Sequence, residues 1–256
     1  MTDTSKRDAY FYKRKGDIGY FVSYPLAGQV HHGFSTKLPF AAGSSSTEEI
    51  VCQKRQFCDA LRIDVHFFPH LKQVHGDKLL IMKEPATHLV PSDYDGIITN
   101  LPHIALSVIT ADCLPILLYE KKRKIIGAVH AGWRGTSLGI LQKALTAMEE
   151  SFHGCLKDCM VLLGPSLRPC CFEIKDDVFR ILQKCLPFWE RVIAVEEDRF
   201  YFDLQLANTI QAMEKGVPEE NMWALDLCTF CQPGWFYSYR REGEKAGRMI
   251  SVISLS

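Results

Sequence analysis

The chain has 256 residues, 30 basic and 30 acidic side chains and a formal net charge of zero; 47% of it is hydrophobic and 23% charged. That length supplies a sizeable core, and the composition is that of an ordinary globular protein. Charge neutrality removes nucleic acid and anionic membrane surfaces as default partners.

In chain order, "MTDTSKRDAYFYKRKGD" holds no apolar stretch of signal-peptide length. No later run approaches the ~18 apolar residues of a membrane span. A cytoplasmic protein is expected, with its 10 cysteines mostly thiols that only pack. "IGYFVSY" and "VHHGFST" read as strands joined by a turn around Pro25 and Gly28. "PFAAGSSSTEE", residues 39–49, is the nearest thing to a linker, but it runs straight into a helix signal. Ser46 and Glu49 fit a capping box, and Ile50, Phe57, Cys58 and Leu61 share the face after it. One domain over residues 1–256 is the resulting expectation.

Later come short apolar runs: "KLLIM", "GIIT", "IALSVIT", "PILLY", "IIGAVH", "MVLLG", "VIAV", "MWALD", "WFYSY" and "MISVI". Their length and their β-branched or aromatic content predict strands. "EKKRK", residues 120–124, reads as a solvated hairpin tip. Helices interrupt the strands. Leu138, Leu141, Leu145, Met148 and Phe152 recur at helical spacing, and "KDDVFRILQKCL" is amphipathic. In "FDLQLANTIQAMEKGVP", Asp203 is an N-cap, Gly216 a C′ residue and Pro218 a stop. Many strands with fewer, non-alternating helices predict an α+β architecture with a mixed sheet.

Three stretches put an imidazole or thiol at the edge of a strand-like run: "KQVHGD" with His75, "TADCLPILL" with Cys113 and "AVHAGWRGT" with His130. Two histidines and a thiolate leave one tetrahedral position open, the arrangement of catalytic zinc. The same residues also fit a hydrogen-bonded strand-end histidine and a packing cysteine, and spacing alone does not decide. After His130, the segment Gly132, Arg134, Gly135, Thr136 and Ser137 joins strand to helix. It reads either as an anion seat or as a tight turn with Arg134 in a surface ion pair. "CTFC", residues 228–231, is a lone C-x-x-C without a second pair at ribbon spacing; Cys170 and Cys171 read either as packing residues or as lining a site. Trp235, Phe236, Tyr237 and Tyr239 fit either stacking on a flat ligand or alternating burial in a strand.

The ordered strings "KQVHGD", "DGIIT", "TADCLPILL", "AVHAGWRGT", "GPSL…CCFEI", "FDL…AN" and "CT…FYSYRREG…GRMISVI" resemble the YfiH family of laccase-domain, or multicopper polyphenol oxidase-like, proteins. The resemblance runs from about residue 71 to the end. It implies a single domain with helices outside two mixed β-sheets (α/β/β/α), and a metal held by His75, Cys113 and His130. It also implies purine nucleoside phosphorolysis, with adenosine deamination as a side activity. The same Cys–His arrangement is similar to the deamidase domain of cytotoxic necrotizing factor toxins. The N-terminal third departs from the family pattern: Lys37 stands where arginine is usual, "LPFAAGSSST" replaces a Gly-Gly stretch, and Lys54–Arg55 stands for Asn-Arg.

On that reading Cys113, His130, Asp112 and Arg134 are the catalytic set. Gln73, Arg134, Gly135 and Thr136 bind a nucleoside and phosphate. Asp112 handles a proton or supports a ligand histidine, and zinc is the cofactor, with copper as the alternative. Three other readings stay open. A blue-copper oxidase would place His and Met close to its cysteine, which "CLPILLYEKKRK" does not. A metal-free hydrolase would use Cys113 and His130 as nucleophile and base. A degenerate relative would only bind a nucleotide. Oligomeric state is not specified by these residues.

Overall fold

The computed structural model describes residues 9–37, 47–85 and 92–255. In chain order the strands are β1 (Tyr10–Lys15), β2 (Ile18–Ser23), β3 (His31–Ser35), β4 (Leu71–Lys72), β5 (Leu79–Met82), β6 (Ser92–Asp93), β7 (Gly96–Thr99), β8 (Ala105–Thr110), β9 (Leu114–Glu120), β10 (Ile125–Ala131), β11 (Cys159–Leu163), β12 (Glu173–Ile174), β13 (Ile193–Glu196), β14 (Arg199–Phe202), β15 (Met222–Ala224) and β16 (Met249–Ser254). The helices are α1 (Thr47–Leu61), α2 (Trp133–Ser137), α3 (Ile140–Phe152), α4 (Asp176–Cys185), α5 (Trp189–Val192), α6 (Leu204–Glu214) and α7 (Tyr239–Glu242).

A five-stranded sheet, ordered β1-β2-β3-β16-β8, is antiparallel throughout. A six-stranded sheet, ordered β15-β11-β9-β10-β7-β5, is mixed: its outer pairs are parallel and its inner ones antiparallel. Alternation along the strands builds the layers. In β9, Ile116 and Leu118 pack with Leu141, Leu145 and Met148 of α3, while Leu117 joins Phe34, Leu106 and Val108 in the core between the sheets. The outer face of the five-stranded sheet places Tyr20, Val22, Ile250 and Val252 against Phe57 and Cys58 of α1. The result is α+β, as the sequence predicts, with the two main sheets between helices that the resemblance implies, of which the six-stranded one is mixed and the five-stranded one antiparallel.

Most local signals hold. Asp203 caps α6 by accepting from the Leu206 N–H at 2.9 Å, and Gly216 lies just past the helix with φ +97°. Residues 121–124 form the exposed turn between β9 and β10. Other signals fail for identifiable reasons. Leu138 is half exposed because Gly139, at φ +72°, ends α2 and resets the helix before α3. "WFYSY" is not a strand: Phe236 is buried in the core from irregular backbone, and Trp235 rests on Tyr12 and Phe21. β1 leaves no mark in the hydrophobic pattern, because it is a largely exposed edge strand rich in Lys and Arg, with no buried alternation to show. Ser46 of the expected capping box lies outside the described residues, as does most of the departing segment 38–47.

One crossing positions the candidate site. Between β8 at the edge of one sheet and β9 inside the other, the chain passes through residues 111–113. The pairing of Ala131 with Leu114 and of His130 with Pro115 brings the end of β10 beside that crossing.

Leu117 is fully buried between the sheets. Leu117→Ala is expected to lower unfolding free energy by about 2–5 kcal/mol, read as a shifted urea midpoint at unchanged slope.

Candidate metal centre and cavity

Asp95, which ends the approach to β7, is fully buried and is the residue around which the site is built. Its Oδ2 accepts from the backbone N–H of Gly76 at 2.7 Å and of Val74 at 3.2 Å, and its Oδ1 accepts from His75 N–H at 2.9 Å. Its Oδ1 also lies 2.8 Å from Nδ1 of His130, whose backbone N–H donates to the Asp95 carbonyl at 2.7 Å. One carboxylate therefore shapes the 74–76 turn and orients an imidazole. It also holds His75 at φ +61°, a left-handed conformation that costs a non-glycine residue energy unless its surroundings impose it.

His75, Cys113 and His130 each offer one ligand atom, and these atoms lie within 4.8 Å of one another. His75 is exposed, Cys113 partly buried and His130 buried. A Cβ at Gly132 would come within 3.1 Å of the Cys113 sulfur and 3.4 Å of His75 Cδ2, so the glycine after β10 leaves the room the cluster occupies.

The electrostatics arise from this packing. Burial alone would push the Cys113 thiol up, but the facing His130 charge and hydrogen bonds from His130 and His75 outweigh it and bring it down to about 6. Burial alone would push His130 down, but Cys113 and Asp95 outweigh it and raise the imidazole to about 9. Asp95 is held below the usual carboxylate range, its burial penalty outweighed by His130 and the turn N–H groups. Without metal, both shifts favour a thiolate facing an imidazolium between about pH 6 and about pH 9. The Cys113 contribution to stability is present at high pH and lost as pH falls through about 6. The His130 contribution is present at low pH and lost as pH rises through about 9.

The cluster opens into a cavity of about 570 Å³ whose wall includes Gln73, Asp112, Trp133, Phe172, Tyr239, Arg240 and Arg248. Asp112 is buried at φ +91°, and its carboxylate is already taken: Oδ1 accepts from Thr229 Oγ1 and Oδ2 from the Arg240 backbone N–H, both at 2.6 Å. The carboxylate that bonds His130 is Asp95, not Asp112. Gln73 pairs both ends of its amide with the Ile109 backbone at 2.8 Å, acting as a short extension of the β8 edge.

Of the expected anion seat at the start of α2, Gly132 lines the cavity, while Arg134, Gly135, Thr136 and Ser137 are not part of its wall. Arg134 is exposed, with its guanidinium 5.0 Å from the Trp133 ring centroid. Gly135 packs so close to the Gly76 carbonyl that a Cβ would sit 2.9 Å from it, and Thr136 Oγ1 accepts from Asn208 Nδ2 at 3.0 Å. The arginines that line the cavity are instead Arg240 and Arg248, whose guanidinium groups donate to the Glu173 carbonyl at 2.9 Å and to the Gly247 carbonyl at 3.0 Å. Sequence reasoning missed both, as well as Asp95. "DGIIT" and "SYRREG…GRM" contained them, yet no local spacing links them to His130. Of the four C-terminal aromatics, Tyr239 lines the cavity. Lys37 lies over Tyr237 and beside Glu242, and Lys54 is buried in α1.

The family described as multi-copper polyphenol oxidoreductase laccase matches residues 27–256. The chain is 29% identical over 260 residues to a purine nucleoside phosphorylase of Mus musculus, covering 94% of this chain and 59% of the mouse protein. It is 36% identical over 182 residues to a purine nucleoside phosphorylase of Bacteroides thetaiotaomicron, covering 70% of this chain and 67% of that one. The chain thus spans a little over half the length of the mouse relative. Among solved structures, the hypothetical protein YfiH of Bacillus licheniformis superposes with a TM-score of 0.84 at 25% identity, over 96% of this chain and 99% of that one. YlmD of Geobacillus stearothermophilus gives the same TM-score at 24% identity, over 96% and 99%.

Two measurements check the site. Asp95→Asn removes the charge that orients His130 and is expected to weaken zinc binding about 10- to 100-fold, read by chelator competition. In metal-free protein, alkylation of Cys113 is expected to rise with pH about a midpoint near 6; a midpoint at the ordinary thiol value of about 8.5 would contradict the ion pair.

Proposed function

The chain belongs to the multi-copper polyphenol oxidoreductase laccase family, and on that premise we propose that it is a metal-dependent purine nucleoside phosphorylase. The observation that carries this reading is the cavity. Its wall brings the aromatic residues Trp133, Phe172 and Tyr239 together with Arg240 and Arg248 beside the His75–Cys113–His130 cluster. A purine base needs the first group of residues and a phosphate the second. The names of the mouse and Bacteroides relatives point the same way.

The donor set suits zinc. Asp95 occupies Nδ1 of His130 and leaves Nε2 as the free ligand atom, and the thiol of Cys113 is already disposed to ionise. His75, Cys113 and His130 would hold the ion, which when bound supplies Lewis acidity toward a substrate oxygen.

The rest of the chemistry belongs to the chain. Phosphorolysis breaks the N-glycosidic bond as a phosphate oxygen bonds to the sugar carbon. Arg240 and Arg248 seat that anion and offset its charge. The aromatic side chains hold the base so that the attacked carbon faces the phosphate, which converts an encounter into a positioned reaction. Asp112 acts through position: it fixes the Arg240 backbone and Thr229 on one side of the cavity. Deamination of adenosine in the same cavity would be a side activity, with ammonia release as its assay.

A second reading has one specific observation in its favour. The Cys113 thiol is brought down to about 6 and faces His130, as a nucleophile paired with a base would be. It requires turnover by protein stripped of metal.

Metal-loaded protein is expected to convert inosine and phosphate to hypoxanthine and ribose 1-phosphate; release of neither product rejects the assignment. Arg240→Ala is expected to raise the KM for phosphate about 10- to 100-fold, the worth of a charged hydrogen bond. Arg134→Ala is expected to leave that KM within about twofold, as for a surface side chain.

A further inference from the structure

A second group of sulfur ligands stands apart from His75, Cys113 and His130. The C-x-x-C of Cys228 and Cys231 meets the adjacent pair Cys170–Cys171, and one ligand atom from each of the four lies within 4.8 Å of the others. The sulfur of Cys231 is 3.3 Å from that of Cys171 and 3.7 Å from that of Cys170. Four thiolates around zinc at about 2.3 Å in a tetrahedron are separated by roughly 3.8 Å, the spacing this group approaches. All ten cysteines carry free thiols. A thiol is a weak donor and a weak acceptor, so four gathered at one point gain little from each other. Around a soft divalent cation each becomes a strong ligand.

The backbone holds the two segments in place independently of the sulfurs. Ser166 and Cys228 form a parallel bridge, and the Thr229 N–H donates to the Ser166 carbonyl at 3.0 Å. The N–H groups of Cys171 and Phe172 both donate to the Arg168 carbonyl at 2.9 Å, which closes the turn that presents Cys170 and Cys171. Arg168 is itself anchored to Asp226 at 2.8 Å and to Asp203 at 3.0 Å. Cys170 and Cys231 are exposed, so an ion has a way in.

We propose that Cys170, Cys171, Cys228 and Cys231 form a second metal site, a closed tetrathiolate zinc centre with a structural role. Four protein ligands leave no open position, so this ion takes no part in substrate chemistry. Its effect is mechanical. One bound segment carries Leu167 and Phe172 into the cavity wall, and the other carries Thr229, which bonds Asp112. The ion ties these two pieces of wall together at the side of the cavity. This inference is independent of the nucleoside reading.

The test counts metal and does not read turnover. Protein loaded with zinc and passed over chelating resin is analysed by elemental mass spectrometry. Wild type is expected to keep two zinc ions per chain. Cys113→Ala is expected to keep one, and Cys170→Ser and Cys231→Ser one each. Cobalt(II) titration of Cys113→Ala leaves all four sulfurs intact and decides the question if the serine variants do not fold. Thiolate-to-cobalt charge transfer saturating at one equivalent supports the site. No cobalt or zinc binding by Cys113→Ala overturns it, as does a Cys171–Cys231 disulfide found in protein isolated without oxidant. Because Cys113→Ala removes only the cavity ligand, failure of one metal site is read separately from failure of the other.

Discussion

The structure depends on the placement of one buried charge. Asp95 carries a carboxylate out of water, and an isolated charge there would be costly. It is compensated on every side, by three N–H groups of the 74–76 turn and by the ring of His130. Removing one partner from such a buried pair typically costs about 3–5 kcal/mol. Each partner is therefore held as firmly as the carboxylate itself. His75 stays in its left-handed conformation and His130 in its ring orientation for the same reason.

Sheet topology supplies the rest. His130 lies at the end of β10, on the same strand face as Ile126 and Ala128, which are buried between the sheets. Cys113 lies on the short crossing from β8 to β9, and cross-strand register brings it to the end of β10. Neither residue is positioned by its own neighbours in sequence. The pairing of Leu114 with Ala131 does it, and that pairing is fixed by strands buried on both faces, where a one-residue slip would swap every side chain between the two differently packed layers. Asp112, in the same crossing, extends the arrangement by tying down Thr229 and Arg240. Two buried carboxylates thus brace the wall of one cavity, Asp95 through His75 and His130 and Asp112 through Arg240, and the cysteine group at 170–171 and 228–231 joins the segments that carry Phe172 and Thr229.

Signals that depend on near neighbours were readable. The helical repeat from Leu141 to Phe152, the Asp203 cap, the Gly216 C′ position, the hairpin tip at 121–124 and most of the strand runs report local burial or turn chemistry, whereas Glu120 of the expected tip is buried at the end of β9. Their sum was enough to reach the α+β class with a mixed sheet; the two sheets between helices came from the family resemblance. His75, Cys113 and His130 stood out because each pairs a ligand-type side chain with a strand end. What the sequence did not decide is which distant groups meet. Arg134 looked like the anion-binding residue because it is near His130 in sequence, yet the turn into α2 points it to solvent, while Arg240 and Arg248 arrive from the far end of the chain. Asp95 was one letter in "DGIIT" until folding placed it beneath His130. The C-x-x-C at 228–231 lacked a second pair until Cys170 and Cys171 were brought to it. In each case the physical reason is the same. Local conformation is set by short-range sterics and hydrogen bonding, which sequence spacing encodes, whereas charge compensation and ligand sets depend on contacts between segments that only strand pairing and sheet packing bring within a few ångströms.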